Sequence, residues 1–267
     1  MSLDFGLKDV HVLITGAAGG IGLETVKTFL QLGARVTAHY NSRIGELSSI
    51  PNTVTLQADV RSEEACTTLL TQAAEQNGGP VSVLIVNHGI WPTEDKRIVD
   101  LDIEQWNNVI ATNLTGPFLL CRAYLRALRS ASSQVKDTAS IIFIGSTAGK
   151  FGEPGHGDYA ASKSALMYGL TLTLKNEIVA IAPRGRVNSV SPGWIATPLA
   201  EKALEDKAFV ERALASTPLQ KVGTPENVAR QVAVLASTVL SGHVSGMNVM
   251  VEGGMEGRLL FPPKLAQ

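Results

Sequence analysis

The sequence predicts an α/β protein with a doubly wound parallel sheet of about seven strands and helices on both faces. Short apolar runs alternate with helical patterns about seven times along the 267 residues. The runs are apolar at consecutive positions, as expected for strands that are covered on both faces. No internal repeat or low-complexity linker interrupts this alternation, so we predict a single domain over residues 1–267 with an apolar tail at 257–267.

The predicted strands are short apolar runs bounded by turn residues. They are Val10–Ile14, Arg35–Tyr40, Thr53–Gln57, Val81–Val86, Ser140–Ile144, Arg186–Val190 and Asn248–Val251. The predicted helices show apolar residues at helical spacing between the strands. They are Ile21–Leu32, Ile44–Ser48, Glu63–Gln76, Asp102–Ala127, Tyr159–Ile181, Leu199–Ala215 and a last helix opened by Thr224-Pro225-Glu226. Ser62 and Asp102 are the predicted N-caps of two of these helices.

Composition excludes several classes of function. The 23 basic residues face 24 acidic ones, which leaves no basic surplus for nucleic acid. Cys66 and Cys121 are isolated, and the five histidines lack metal-ligand spacing, so we expect neither a disulfide framework nor a metal site. No run reaches the roughly 18–20 apolar residues of a membrane helix, and no basic leader precedes the first strand. A cytoplasmic protein that does not enter the membrane is the expectation.

A glycine-rich turn follows the first predicted strand and opens a helix. It reads Thr15-Gly16-Ala17-Ala18-Gly19-Gly20-Ile21-Gly22. Gly16 permits the tight turn, Gly20 lets the backbone approach a diphosphate, and Gly22 lets helix and strand pack closely. The helix N-terminus offers N–H groups to the anion. This context predicts a dinucleotide-binding site.

The end of the second strand favours NADP(H) over NAD(H). An acidic residue at this place would hold the adenine ribose 2′-hydroxyl, but the chain reads His39-Tyr40-Asn41-Ser42-Arg43. Asn41 and Ser42 can donate hydrogen bonds, and Arg43 can offer its guanidinium to a 2′-phosphate. The alternative is that Arg43 is a solvated loop residue.

Three side chains suggest proton transfer to a carbonyl or from an alcohol. Tyr159 and Lys163 lie at i and i+4 on one helix face, and Ser146 comes directly after a predicted strand. A neighbouring cation favours the phenolate and is expected to lower the pKa of the tyrosine. The serine hydroxyl at the crevice can hold a substrate oxygen.

With these motifs the chain resembles a single-domain member of the short-chain dehydrogenase/reductase family, over about residues 8–254. The matching positions follow the order of the family's motifs. They are the turn Thr15–Gly22, Asp59 and Val60, Asn87 and Gly89, Asn113, Ser146, Tyr159, Lys163, the segment Pro192-Gly193-Trp194-Ile195-Ala196-Thr197, and Val251-Glu252-Gly253-Gly254. The resemblance implies a Rossmann form of the predicted sheet.

The resemblance also implies the roles of these residues. Tyr159 would be the acid/base, Lys163 would lower its pKa and bind the nicotinamide ribose, and Ser146 would orient the carbonyl. Asn113 would hold a water that connects Lys163 to solvent. The implied cofactor contacts are Gly16, Gly20, Ile21, Gly22, Asn41, Ser42, Arg43, Asp59, Val60, Asn87, Gly89, Tyr159, Lys163, Pro192, Gly193, Ile195 and Thr197.

The sequence departs from the family pattern after the fourth strand. Val86 and His88 replace an asparagine and an alanine. His88 either fills space beside the cofactor or makes a polar contact to substrate or nicotinamide. Gly19 stands where many NADP-using relatives carry a basic residue, which weakens the argument for NADP(H).

The substrate pocket is expected near Trp91, His156 and Trp194. Two tryptophans suggest an apolar or ring-bearing substrate, with Glu153 or His156 as a polar handle. Alternatively, the tryptophans only anchor loops. The segment Leu199–Ala215 stands where relatives carry a mobile lid.

The predicted function is hydride transfer between NADP(H) and a small ketone or secondary alcohol, as in a carbonyl reductase. A non-redox reaction on the same scaffold, such as dehydration or isomerisation, is one alternative. The other is a cofactor-binding regulator without turnover, although such a protein would be expected to lose Tyr159 or Lys163. The resemblance further implies a homotetramer or homodimer formed through the two long helices.

Overall fold

Seven parallel strands form one sheet in a computed structural model that describes residues 4–198, 200, 204–255 and 257. The strands are β1 (His11–Ile14), β2 (Arg35–Tyr40), β3 (Thr53–Gln57), β4 (Val83–Val86), β5 (Ser140–Ile144), β6 (Arg186–Pro192) and β7 (Asn248–Val251). Their order is β3-β2-β1-β4-β5-β6-β7. Strand order reverses between β1 and β4, which is where a doubly wound sheet opens a crevice at its carboxyl end.

The strands alternate their side chains between two hydrophobic cores. Leu13 of β1 belongs to one core, while its neighbours Val12 and Ile14 belong to the other. Strand β4 alternates in the same way, with Leu84 packing on the Leu13 side and Ile85 on the opposite side. This period of two on a sheet that is buried on both faces explains why the strands read as continuous apolar runs.

The helices cover both faces of the sheet. They are α1 (Gly20–Gln31), α2 (Glu63–Gln76), α3 (Ile103–Ile110), α4 (Gly116–Arg129), α5 (Ser133–Asp137), α6 (Ala148–Phe151), α7 (Gly157–Ser164), α8 (Thr171–Glu177), α9 (Lys207–Ala215), α10 (Pro225–Ala236) and α11 (Thr238–Ser241). Short 3-10 turns occupy Gly45–Ser49 and Ile178–Ala180. The predicted caps are confirmed, because Ser62 accepts a hydrogen bond from Ala65 N and Asp102 from Gln105 N.

Both long helices contain a π-helical segment that the sequence did not predict. Ala111–Thr115 joins α3 to α4, and Ala165–Leu170 joins α7 to α8. The Thr171 hydroxyl supports the second segment by donating to the Leu166 carbonyl, five residues back, at 2.8 Å. Such segments re-aim side chains within a helix.

The other predicted elements agree with the structure apart from their ends, but the predicted helix Ile44–Ser48 is the 3-10 turn Gly45–Ser49, and α5, α6 and α11 were not predicted. Strands β1 and β4 begin later than predicted, and β6 continues to Pro192. Within the predicted helix Leu199–Ala215, the structure has α9, while residues 199 and 201–203 lie outside the described residues. Of the predicted apolar tail, only Gly257 is described. Within the described parts of the chain, no helix is long and apolar enough to cross a membrane.

Candidate active site

A cavity of about 500 Å³ lies at the carboxyl ends of the strands. It runs from the glycine turn after β1, past the ends of β2 and β3, to Ser146, Tyr159 and Lys163. Most residues that the sequence assigned to a site line this cavity. The assigned positions outside its lining are Ser42, Arg43, Asn113 and His156.

The glycine turn has the shape of an anion cradle. Gly16 has a φ of +61°, and a side chain at this position would also approach the His88 backbone to 2.7 Å. A side chain on Gly20 would meet Thr197 at 2.9 Å, and one on Gly22 would overlap the Gly16 carbonyl oxygen. Helix α1 has no side-chain cap and no acidic residue in its first turn. Its first N–H groups and its dipole therefore favour a bound anion.

His39 holds this turn in place, a role that the sequence did not reveal. Its Nε2 lies 2.9 Å from the Ala58 carbonyl oxygen, so Nε2 carries the proton and donates to it. Its Nδ1 then accepts a hydrogen bond from Gly16 N at 3.2 Å. Burial lowers the pKa of His39, which keeps the ring in this neutral form.

The end of the cavity near β2 and β3 is polar. Asn41 lines it, whereas Ser42 and Arg43 are exposed beside it and outside the lining. Asp59 and Val60 line it as predicted, together with Arg61. The Arg61 guanidinium donates three hydrogen bonds to the Asp59 carboxylate, at 2.9, 3.1 and 2.7 Å, and these lower the pKa of Asp59. Arg61 thus places a guanidinium in the lining that sequence reasoning missed.

The segment after β4 is tied to the glycine turn. The Asn87 side-chain amide donates to the carbonyl oxygens of Thr15 and Gly16, at 2.9 and 3.0 Å. His88 is buried, with Nδ1 2.8 Å from the Thr15 hydroxyl oxygen. A side chain on Gly89 would come within 3.4 Å of the Lys163 ammonium. Asn87 and His88 therefore fix how β1 and β4 meet at the cavity.

Ser146, Tyr159 and Lys163 meet at the other end of the cavity. The Ser146 hydroxyl lies close enough to the Tyr159 phenol to lower its pKa, and Ser146 Oγ accepts a hydrogen bond from Ala148 N at 3.2 Å. The buried Lys163 ammonium donates to the Ile144 carbonyl oxygen at 2.8 Å and lies 5.6 Å from the centre of the Tyr159 ring. The three groups come from the end of β5 and from one face of α7.

Tyr159 has a raised pKa in the structure. Burial raises this pKa to about 12, although the hydrogen bond from Ser146 lowers it in part. The Lys163 ammonium lies over the phenol ring, 5.6 Å from its centre, and its predicted effect on this pKa stays a prediction. Burial also lowers the pKa of Lys163 to about 8, because the charged amine is poorly solvated.

Asn113 lies in the first π segment, and both Asn113 and Lys163 approach Gly89. Its Oδ1 accepts from Ile90 N at 2.8 Å, and its Nδ2 donates to Ile90 O at 2.9 Å. Nδ2 also lies 3.4 Å from the Ser162 hydroxyl oxygen. The Asn113 side chain thus both donates to and accepts from the backbone after β4, and it holds this segment next to α7.

The far wall of the cavity follows β6. Pro192, Gly193, Ile195 and Thr197 all line it. Gly193 N donates to the Val251 carbonyl oxygen at 3.1 Å, and a side chain on Gly193 would meet Glu252 at 2.9 Å. Gly193 thus lets the β6 segment pack closely against the residues that follow β7.

Aromatic rings and one carboxylate form the end next to Tyr159. Trp91 and Trp194 line the cavity at nearly a right angle, with ring centres 6.1 Å apart, and Glu153 lines it beside them. His156 was predicted to face substrate, but it stacks on Trp91 at 3.7 Å and is not part of the lining. Its Nε2 lies 3.0 Å from the Pro92 carbonyl oxygen, so it supports the tryptophan.

This arrangement fits a nicotinamide dinucleotide. The residues that would hold it are the backbone of the α1 turn, Asn41 and Asp59 at one end, and the β6 segment with Lys163 at the other. The glycine positions leave this cradle open, because side chains there would meet Thr197 or the turn itself. Within the described residues, no group of three or more His, Cys, Asp or Glu side chains could hold a metal ion.

Comparison with known proteins agrees with this geometry. The family described as "Enoyl-(Acyl carrier protein) reductase" matches residues 16–256. The chain is 35% identical to the human (3R)-3-hydroxyacyl-CoA dehydrogenase over 264 residues, covering 93% of this chain and 96% of the relative. It is also 35% identical to the 3-oxoacyl-[acyl-carrier-protein] reductase FabG of Thermotoga maritima over 250 residues, covering 91% and 96%. The chain belongs to the short-chain dehydrogenase/reductase family.

A solved structure of this family has the same fold. The short-chain dehydrogenase/reductase from Brucella melitensis, described as a glucose/ribitol dehydrogenase, superposes with a TM-score of 0.83 at 31% identity, covering 95% of this chain and 99% of that one. The predicted fold class and family are thereby confirmed. As a member of the short-chain dehydrogenase/reductase family, the protein is an oxidoreductase.

Proposed function

We propose that the protein is an NADP(H)-dependent reductase that interconverts a ketone and a secondary alcohol. The contact between the Ser146 hydroxyl and the Tyr159 phenol carries this proposal. It supplies two hydroxyl groups for one carbonyl oxygen, in the same cavity as the glycine turn. The activities named for two relatives, a 3-oxoacyl-[acyl-carrier-protein] reductase and a (3R)-3-hydroxyacyl-CoA dehydrogenase, support this class of reaction.

The side chains provide the proton and orient the carbonyl. A bound nicotinamide dinucleotide would supply or accept the hydride. With a pKa of about 12, Tyr159 keeps its proton at neutral pH and is ready to give it to a carbonyl oxygen. Ser146 can donate a hydrogen bond to the same oxygen as charge develops on it. Lys163, with a pKa of about 8, can exchange protons near neutral pH beside the tyrosine.

The residues at the end of β2 support NADP(H). No carboxylate stands at the end of β2, and the carboxylate of Asp59 is paired with Arg61. The exposed Arg43 beside the cavity offers a second guanidinium to a 2′-phosphate. We expect Arg43→Ala to weaken NADPH binding about tenfold or more and to leave NADH binding nearly unchanged. Arg184→Ala, at an exposed arginine far along the chain, is the matched control.

Turnover tests the proposed reaction directly. Purified protein is given NADPH and a panel of ketones that includes acetoacetyl-CoA, and the products are identified. We expect secondary alcohols, with Tyr159→Phe reducing kcat by about a thousandfold or more while the Kd of NADPH changes little. Substantial turnover by Tyr159→Phe would remove the tyrosine from the acid/base role. Reduction of an enone at its carbon–carbon bond, without reduction of any ketone, would overturn the assignment to carbonyl chemistry.

The two other predicted functions give different results in the same assay. A dehydratase or isomerase would convert a hydroxy compound without any change in NADPH absorbance. A regulator without turnover would bind NADPH and reduce none of the ketones. The complete set of Ser146, Tyr159 and Lys163 in one cavity favours the reductase over both.

We also propose that the protein assembles through its two long helices. Their outer faces expose large apolar side chains, among them Phe118 on α4 at 45% and Leu172 on α8 at 39%. Apolar side chains grouped on such a face are typical of a subunit interface. Light scattering after size-exclusion chromatography should give a dimer or tetramer, and Phe118→Glu should lower the mass. A monomeric wild-type protein would contradict this proposal.

A further inference from the structure

We infer that the preferred ketone carries an ammonium group close to its carbonyl. This inference rests on the proposed function and names the substrate class of the same site. Two independent features of the cavity point to a cation: a carboxylate that no described side chain meets with a hydrogen bond or an ion pair, and a corner of aromatic rings beside it.

The carboxylate belongs to Glu153. It is partly buried and lines the cavity together with Ser146 and Tyr159. Among the described residues, no side chain donates a hydrogen bond to this carboxylate or forms an ion pair with it. Burial raises the pKa of Glu153, because its charge is incompletely solvated, and the neighbouring His156 offsets only part of this effect. A substrate cation would supply the partner that the protein does not provide.

The described basic side chains of the lining are used elsewhere. The Lys163 ammonium donates to the Ile144 carbonyl oxygen, and the Arg61 guanidinium pairs with Asp59 at the opposite end. Asp95, on an exposed loop behind the aromatic corner, adds negative charge, and it lies 3.8 Å from His156 Nε2. The described side chains at the substrate end of the cavity therefore favour a cation over an anion.

The aromatic corner consists of Trp91, Trp194 and Tyr159. The two indoles meet at 79°, and Tyr159 stands edge-on to Trp91 at 77° with ring centres 4.6 Å apart. Indole and phenol faces attract a cation that lies within about 6 Å of the ring centre. His156 stacks on Trp91 at an angle of 18° and holds the indole in this position. Rings at right angles beside a carboxylate can enclose a compact ammonium group better than a flat acyl chain.

A bound ammonium would also assist the proton transfer. The negative charge of Glu153 is one of the causes that raise the pKa of Tyr159. A substrate cation between them would offset this charge and lower that pKa, which makes release of the phenolic proton easier. The same contact would thus favour binding and turnover of a cationic ketone.

Two ketones of equal shape and different charge test the inference. Acetonyltrimethylammonium has a quaternary nitrogen where 4,4-dimethylpentan-2-one has a carbon. We measure kcat/KM for both with NADPH and form the ratio of the cationic to the neutral ketone. The ammonium makes the carbonyl intrinsically more reactive, but this effect is the same for wild type and variants and cancels between them.

The decisive variant is Glu153→Gln, and the matched control is Glu94→Gln. Glu94 is an exposed carboxylate on the same side of the molecule and does not line the cavity. We expect the ratio to fall at least roughly tenfold in Glu153→Gln, since a charged contact is replaced by a neutral one. The ratio should stay within about twofold of wild type in Glu94→Gln, because exposed charges are well screened. The kcat/KM for the anionic ketone 4-oxopentanoate should be higher in Glu153→Gln than in wild type.

A measurement on the wild type does not depend on how the variant folds. Tetramethylammonium should inhibit reduction of the neutral ketone competitively, and neopentyl alcohol, which lacks the charge, should inhibit at least roughly tenfold more weakly. An unchanged ratio in Glu153→Gln, together with no inhibition by tetramethylammonium, would overturn the inference. Reduction of the neutral ketone would in that case leave the proposed function standing. If the wild type reduces neither of the two ketones, the inference fails, and the ketone panel decides the proposed function separately.

Discussion

Replacing His88 with alanine removes a buried neutral imidazole from the junction of β1 and β4. The ring is only 8% exposed, and its Nδ1 lies 2.8 Å from the Thr15 hydroxyl oxygen. Burial, together with smaller effects of the neighbouring His39 and Lys163, lowers the pKa of His88 to about 3. The ordinary pKa of histidine in an unfolded chain is about 6.5. The protein must therefore become less stable in acid.

The sign and size of this effect follow from proton uptake. Above pH 6.5 the imidazole is neutral in both states and contributes no dependence on pH. As the pH falls below 6.5, the unfolded chain binds a proton that the folded protein refuses until about pH 3, so the free energy of unfolding falls. At pH 5 the loss due to His88 amounts to about 2 kcal/mol, at about 1.36 kcal/mol per pH unit. His11, with a pKa lowered to about 4 mainly by burial, adds a similar loss that His88→Ala retains.

Urea titrations at pH 8 and pH 5 measure this loss. Tryptophan fluorescence follows unfolding of wild type and His88→Ala, and each protein gives a difference in the free energy of unfolding between the two pH values. We expect wild type to lose about 2 kcal/mol more than the variant. The packing defect left by alanine is the same at both pH values and cancels. His243→Ala, at an exposed histidine, should retain the full loss of wild type.

Equal losses in wild type and His88→Ala would refute the reasoning, because they would mean that the folded protein accepts the proton on His88. This result would show that burial of the β1–β4 junction does not control the charge of this ring.

Two more predictions concern the glycine turn and the lysine. Gly22→Ala should raise the Kd of NADPH by roughly a hundredfold or more, because a side chain there overlaps the Gly16 carbonyl oxygen. Gly19→Ala should be tolerated, since its side chain would lie 3.5 Å from the same atom. Fluorescence titration measures the Kd of NADPH for both variants, and equal losses of affinity would contradict the role of the tight turn. Lys163→Met should remove a rise in stability with pH: burial lowers the pKa of Lys163 to about 8 from 10.5, so the unfolded chain keeps a proton that the folded protein loses. Between pH 7 and 9.5, the free energy of unfolding of wild type, measured by urea titration, should rise by about 2 kcal/mol relative to that of this variant. The same dependence on pH in both proteins would contradict the burial of the ammonium.

The sequence was sufficient for the sheet because each strand carries its own signal. Arg35–Tyr40, Thr53–Gln57 and Ser140–Ile144 have the predicted bounds, and their turn residues mark both ends. The cap at Ser62 could be predicted for the same reason, since its hydrogen bond spans only three residues. In a doubly wound sheet the strand ends then place Ser146, Asn87 and the glycine turn at one edge.

Features that depend on contacts between distant segments could not be predicted. The π segment Ala111–Thr115 has the same apolar spacing as an ordinary helix, so no local pattern marks it. The pairing of Asn113 with the Ile90 backbone requires that segment and the loop after β4 to be placed together. His39 and Arg61 likewise gain their roles only from neighbours on other strands or from the shape of the cavity.

The pKa of Tyr159 shows how such contacts change a chemical argument. The spacing of Tyr159 and Lys163 predicts a nearby cation, and a cation beside a phenol lowers its pKa. In the folded protein burial dominates, the ammonium lies over the ring face, and the pKa rises to about 12. The resting phenol is thus protonated, which suits delivery of a proton to a carbonyl. Oxidation of an alcohol needs the phenolate instead, and a group that neutralises Glu153 would bring that form closer to neutral pH.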